Sequence, residues 1–130
     1  MALAFIKRHG GSLVKGYEWN GKVLRPFGGS SERGWEFDGK IIRPWQGSRE
    51  RGYEWDGKIL KPYGRSSYSG YECRPGSMRS FSGKGRGWEK RAKSWAPRDQ
   101  SVDRGWDVEG DIPLPVLALV LFDLVERAPQ

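Results

Sequence analysis

A twelve-residue phrase that returns every 18 residues constrains this chain more than any other feature. Gly16–Phe27 reads GYEWNGKVLRPF, Gly34–Trp45 reads GWEFDGKIIRPW and Gly52–Tyr63 reads GYEWDGKILKPY. Each copy holds an aromatic-Glu-aromatic triplet, an Asn-Gly or Asp-Gly pair, a lysine, two aliphatics, a base, a proline and an aromatic. Asn-Gly or Asp-Gly between β-prone runs marks a hairpin, because a type I′ turn needs positive φ at both central residues. The phrase therefore predicts β-hairpins turning at Asn20-Gly21, Asp38-Gly39 and Asp56-Gly57.

The opening aromatic and the proline nine residues later carry the period through weaker copies. Tyr17, Trp35, Tyr53, Tyr71, Trp88 and Trp106 open six units at spacings of 18, 18, 18, 17 and 18. The fourth unit has Ser80 in place of proline and Arg74-Pro75 in place of the Asp-Gly turn, while the fifth and sixth reach Pro97 and Pro115. Fixed self-similarity of this kind signals a repeat architecture. Residues 4–15 align with residues 22–33, so the chain opens on a second half-unit, and Gly105–Gly110 is a first half without its second strand. Residues 4–9 are expected to pair with residues 105–109 and close a ring, which removes exposed strand edges. The expected fold is one all-β domain over residues 1–130. It is a closed pseudo-six-fold barrel of short hairpins in residues 4–115, with an apolar helix in residues 112–127 as its central plug.

The helix is read from VLALVLFDLV at residues 116–125, which is apolar nearly all round until Asp123. Pro113 and Pro115 suit a first turn, and Asp111 could cap it. Ten apolar residues cannot span a bilayer, which needs about 20. A short helix without a polar face is usually buried on every side, and a closed sheet of eleven or so strands can hold one. An oligomer contact and a membrane-inserting tip are the alternatives. With a two-residue turn at Asp38-Gly39, Trp35, Phe37 and Ile42 share the face expected inward. Glu36, Ile41, Arg43 and Trp45 share the outer face. A three-residue turn would invert one strand.

Hydrophobic residues make up only 36 % of the chain, and seven Trp, five Tyr and five Phe supply much of the core. The 19 glycines fall at unit boundaries and turns, which points to turn chemistry. Cys73 stands where other copies have an aromatic and reads as a core substitution. MALAFIKRH is too short and too charged for a secretory leader, so a cytoplasmic protein, peripheral to a membrane at most, is expected. The net charge of +7 is uneven: residues 1–72 carry +5, residues 73–104 carry +6 and residues 105–130 carry −4. A basic body with an acidic tail attracts phosphates, in nucleic acid or in lipid headgroups.

Nothing in the sequence reads as a catalytic or metal centre, and no cofactor is implied. His9, the single histidine, sits at the position of Phe27 and Trp45 and reads as a rim side chain. Glu18, Glu36, Glu54, Glu72 and Glu89 recur at fixed spacing. They are expected to make diagonal cross-strand ion pairs with Arg25, Arg43, Lys61 and Arg79; a carboxylate ring holding a cation is the sharper alternative. The residues before each boundary glycine are Lys15, Arg33, Arg51, Ser69, Arg86 and Arg104. Lys15, Arg33, Arg51, Arg86 and Arg104 would form a circle of cations at one barrel end. Beside them come the aromatics Phe27, Trp45, Tyr63 and Phe81. Cations next to aromatics suit a membrane interface or single-stranded nucleic acid. Alternatively, those aromatics seal the barrel end.

Aromatic-x-aromatic-Asp-Gly hairpins repeated radially and followed by an apolar C-terminal helix resemble the β-flower proteins. The architecture is also similar to the tubby-like C-terminal domain, a closed twelve-stranded barrel around a hydrophobic helix. Tubby-like domains bind phosphoinositide-containing membranes through basic surface residues, so the resemblance implies lipid binding. The expectation is a non-enzymatic binding module for anionic surfaces, phospholipid headgroups first. Single-stranded nucleic acid is the alternative, as is a structural module that assembles with a protein partner.

Overall fold

The computed structural model describes residues 3–81 and 87–124. Twelve antiparallel strands close into a barrel in chain order. They are β1 (Ala4–Arg8), β2 (Tyr17–Trp19), β3 (Val23–Pro26), β4 (Trp35–Phe37), β5 (Ile41–Pro44) and β6 (Tyr53–Trp55), followed by β7 (Ile59–Pro62), β8 (Tyr71–Arg74), β9 (Ser77–Ser80), β10 (Trp88–Arg91), β11 (Ser94–Pro97) and β12 (Trp106–Glu109). Strands β2 to β11 form five consecutive hairpins. The barrel closes where β1 pairs with β12 through Phe5 opposite Glu109, Ile6 opposite Val108, Lys7 opposite Asp107 and Arg8 opposite Trp106. The expected partnership of residues 4–9 with 105–109 is thus present, and the closed sheet leaves no free edge.

The hairpin turns differ from a type I′ turn. Only the glycine has positive φ, 99° at Gly21, 103° at Gly39 and 102° at Gly57. Asn20, Asp38 and Asp56 stay outside the turn centre, and their side-chain oxygens accept two backbone N–H groups each. For Asp38 these come from Lys40 and Ile41, both at 2.9 Å. A carboxylate that caps the turn removes the need for a left-handed aspartate. The turn centre therefore moves one residue on, to Gly39-Lys40, and the strand register moves by two: Trp35 lies opposite Pro44 and Phe37 opposite Ile42. An even shift preserves the faces. Trp35 and Ile42 are buried and Phe37 packs on the core, whereas Arg43 is exposed.

The same shift corrects the ion pairs. Glu18, Glu36, Glu54 and Glu72 stand directly opposite Arg25, Arg43, Lys61 and Arg79, not diagonally. The bridges measure 3.3 Å for Glu18–Arg25, 2.6 Å for Glu36–Arg43 and 2.8 Å for Glu72–Arg79, and Glu54 pairs with Lys61. Glu89 falls opposite Ala96 and turns to Arg91 instead, at 3.6 Å.

The longer connections return the chain to the next hairpin, and all leave the same end of the barrel, because the strands alternate in direction. Each described one ends in a single 3-10 turn: Leu13–Lys15, Ser31–Arg33, Arg49–Arg51, Ser67–Ser69 and Val102–Arg104. The glycine that follows crosses the carbonyl of a core residue on the preceding strand. A Cβ on Gly34 would sit 2.4 Å from the Leu24 oxygen, and on Gly52 2.0 Å from that of Ile42. At φ −115° and −122° these two need no left-handed freedom. Close approach, not turn chemistry, fixes the boundary glycine.

The helix α1 (Leu114–Leu121) is shorter than residues 112–127. Pro113, not Asp111, is its N-cap and offers no side-chain bond. Its end is set by a Schellman arrangement: Leu124 N–H donates to Leu119 O at 2.8 Å and Asp123 N–H to Val120 O at 3.1 Å, with Asp123 at φ +60°. Every residue from Pro115 to Leu121 is buried, and residues 116–121 form one cluster with Ile6, Trp19, Leu24, Ile42, Leu60 and Trp95 of the strands. No described helix is long and apolar enough to cross a membrane.

Candidate functional site at the loop end

The long connections give the barrel a loop end, opposite the end that carries the tight turns. Lys15, Arg33, Arg51 and Arg104 each close one of the 3-10 turns there, because the glycine after them must dive beneath the previous strand. Arg86 lies outside the described residues. Lys15, Arg33 and Arg104 are exposed and Arg51 is half-buried. No ion pair joins any of these four side chains to a carboxylate among the described residues, whereas Arg25, Arg43, Lys61 and Arg79 on the barrel wall are all paired.

The aromatics after the prolines do not close the lumen. None of Phe27, Trp45, Tyr63 and Phe81 belongs to the core cluster, and Phe27 leans on Phe5 with ring centroids 5.9 Å apart. The residues that pack inward at this end are the opening aromatics. Tyr17 meets Trp106 at 6.4 Å, Trp35 meets Tyr53 at 6.0 Å, and Tyr71 stacks on Phe122 at 4.3 Å. Arginines cover two of the outer rings: Arg49 lies 5.7 Å from the centroid of Tyr63, and Arg79 5.9 Å from that of Phe81. Arg51 and Tyr63 are brought together in one cleft of about 320 Å³, with Arg65 and Glu50 on its walls.

Two residues with no counterpart in the sequence expectation complete this end. Val14 is 74 % exposed and Tyr68 68 % exposed, each at the middle of its 3-10 turn. With Phe27 at 37 %, they are three of the four exposed large hydrophobics among the described residues; the fourth is Leu3. The middle position is Glu32, Glu50 and Asp103 in the other described turns, so an apolar residue where a charge recurs was the available signal. The connections carrying Val14 and Tyr68 follow β1 and β7, half-way round the strand order from each other.

Other groups with reactive side chains are held in structural roles. Asp107 joins the closing strands: His9 Nδ1 lies 2.8 Å from its Oδ1, Ser94 Oγ donates to it at 2.5 Å and Lys7 Nζ is 3.5 Å away. Burial pushes this carboxyl up, but the Ser94 and His9 contacts outweigh it and hold the group at about 2. The Ser94 hydroxyl is directed at the carboxylate, and no hydrogen bond joins it to His9 among the described residues, so the order needed to activate a serine is not formed. Burial pushes the Cys73 thiol up to about 12, with Glu72 adding to the shift, so it stays protonated. No group of three or more His, Cys, Asp or Glu is placed to hold a metal among the described residues. Comparisons of the chain with protein-family models, curated proteins and solved structures found no match.

Proposed function

We propose that the chain is a non-enzymatic module whose loop end docks on anionic phospholipid surfaces. The observation that carries this reading is the pairing of unneutralised bases with exposed apolar tips. Lys15 follows Val14, Arg65 stands three residues before Tyr68, and Arg33 ends the connection that Phe27 begins. Bases near an anionic leaflet contribute roughly 1 kcal/mol each, and aromatics settle at headgroup depth. Single-stranded nucleic acid would ask for stacking platforms beside the bases. Yet Tyr63 and Phe81 already carry arginines over their faces, which favours lipid.

The finer architectural reading belongs with this proposal. The chain behaves as a pseudo-six-fold ring in which β12 and β1 supply the sixth hairpin, and α1 fills the lumen as a plug. The burial of all residues from Pro115 to Leu121 supports the plug, as does the stacking of Phe122 on Tyr71. On that reading the likeness to β-flower and tubby-like barrels extends to function, and the protein works at the cytoplasmic face of a membrane.

The test is flotation with vesicles of phosphatidylcholine alone or with phosphatidylserine or a phosphoinositide, beside fluorescence anisotropy with a labelled oligothymidine. Binding only to vesicles with anionic lipid, weakened by salt, is expected. Preferential binding of the oligonucleotide would replace lipid by nucleic acid as the ligand, and indifference to both would leave a protein-assembly role.

A further inference from the structure

The end of the barrel opposite the loops holds a cleft that the surface-docking reading does not use. It encloses about 640 Å³, within the range of small-molecule sites. Its origin is a departure from the repeat. The third residue of the opening triplet is Trp19, Phe37, Trp55, Cys73 and Val108 in five units, and it belongs to the core or packs against it. In the fifth unit it is Lys90. Across the hairpin, where other units carry Leu24, Ile42, Leu60 and Met78, Lys90 faces Trp95. The bulky ring has moved to the partner strand and a cation occupies the mouth of the barrel. The adjoining turn lacks a glycine and places Ala92 at φ +58°.

The cleft has an apolar floor, made by Trp95, Val108, Leu114 and Leu117. Its rim carries two cations, Lys90 and Lys93, and two carboxylates, Glu109 and Asp111. None of these four side chains makes an ion pair among the described residues, although all line one cleft. Opposite charges held apart over an apolar floor match a ligand that carries both charges on an apolar body. We propose that this cleft binds a small zwitterion with an apolar body, its anionic group on Lys90 and Lys93 and its ammonium group on Glu109 and Asp111. Such a ligand replaces rim hydration at both ends while its body covers Val108 and Leu114, the half-buried part of the floor. A simple anion would face the carboxylates unpaired, and a simple cation the lysines.

Two sources share this chemistry, a zwitterionic lipid headgroup with its chain and a free apolar amino acid. Isothermal titration calorimetry on the full chain separates them, with n-decylphosphocholine below its micelle concentration and L-phenylalanine as probes. Decyl sulfate and decyltrimethylammonium serve as single-charge controls. Saturable binding of at least one zwitterion is expected, tighter than either control. Lys90→Phe restores the residue type of the other units and should fold, yet weaken binding by about ten-fold or more, the size of one charge-assisted contact. Glu109→Gln with Asp111→Asn, at exposed positions, should reduce the preference over decyl sulfate without altering the circular dichroism. Binding of neither zwitterion overturns the proposal, as does equal binding of decyl sulfate or unchanged affinity in Lys90→Phe. Because the probes are monomeric and the cleft lies away from the loops, failure here leaves vesicle docking standing, and the reverse also holds.

Discussion

Two kinds of glycine do different work in each of the first three full units, and their substitutions separate the causes. Gly39 turns the chain with φ +103° and nothing within 4 Å of a Cβ, whereas Gly52 would place a Cβ 2.0 Å from the Ile42 carbonyl oxygen. Gly39→Ala is expected to cost about 1–2 kcal/mol in urea denaturation, from backbone strain alone. Gly52→Ala should cost about 3 kcal/mol or more, because a backbone oxygen cannot rotate away as a side chain can. Carboxylates set a second residue-scale behaviour. The Arg79 and then the Arg74 guanidinium bonds hold Glu72 at about 2, below its ordinary 4.5. Asp107 is also held at about 2, against 3.8. Both folded-state values are depressed, so the stabilisation is complete above the unfolded values and is lost as pH falls towards 2. Urea midpoints measured from pH 6 to pH 2 should drop mainly below pH 4.5. The Glu72→Gln/Asp107→Asn variant should be less stable at pH 6 and show a flatter decline.

At the scale of elements, the hairpins and their closure were legible because a repeat states the same rule several times. The inward face of Trp35, Phe37 and Ile42 followed from alternation and survived a turn that was misplaced by one residue. The error came from Asp38, whose carboxylate accepts from two backbone N–H groups and removes the demand for left-handed backbone. Composition cannot show that competition. The helix was legible as an apolar run but not in its ends, since Asp123 takes the left-handed position usually given to glycine. Leu119 is fully buried, in the same cluster as the strand residues. Leu119→Ala should cost about 2–5 kcal/mol in thermal or urea unfolding. Leu119→Asp should lose the near-ultraviolet circular dichroism of a packed core, because a buried, unpaired carboxylate costs several kcal/mol. A normally folded Leu119→Asp variant would mean that the helix lies outside the barrel.

For the whole molecule, up-and-down closure sorts the connections by end, and that sorting gathers bases of successive units at the end we propose as a docking surface. The wall bases are neutralised by glutamates one strand away, while Lys15, Arg33 and Arg104 stand at the loop end without such partners among the described residues. These bases were legible in the sequence as the residues before the boundary glycines. The sequence did not reveal Val14 and Tyr68 as tips, because exposure depends on the 3-10 turns that lift them from the sheet. A charge-matched comparison between the two ends tests the docking surface most directly. Lys15→Gln/Arg33→Gln/Arg104→Gln removes three charges from the loop end, and Lys22→Gln/Lys40→Gln/Lys58→Gln removes three from the turn end. Flotation with phosphatidylserine vesicles should show the loop-end variant weakened on the order of 100-fold, at roughly 1 kcal/mol per base, with its melting temperature unchanged. The turn-end variant should stay near the parent. Equal losses in both variants, or none in the loop-end variant, would contradict a docking surface at the loop end.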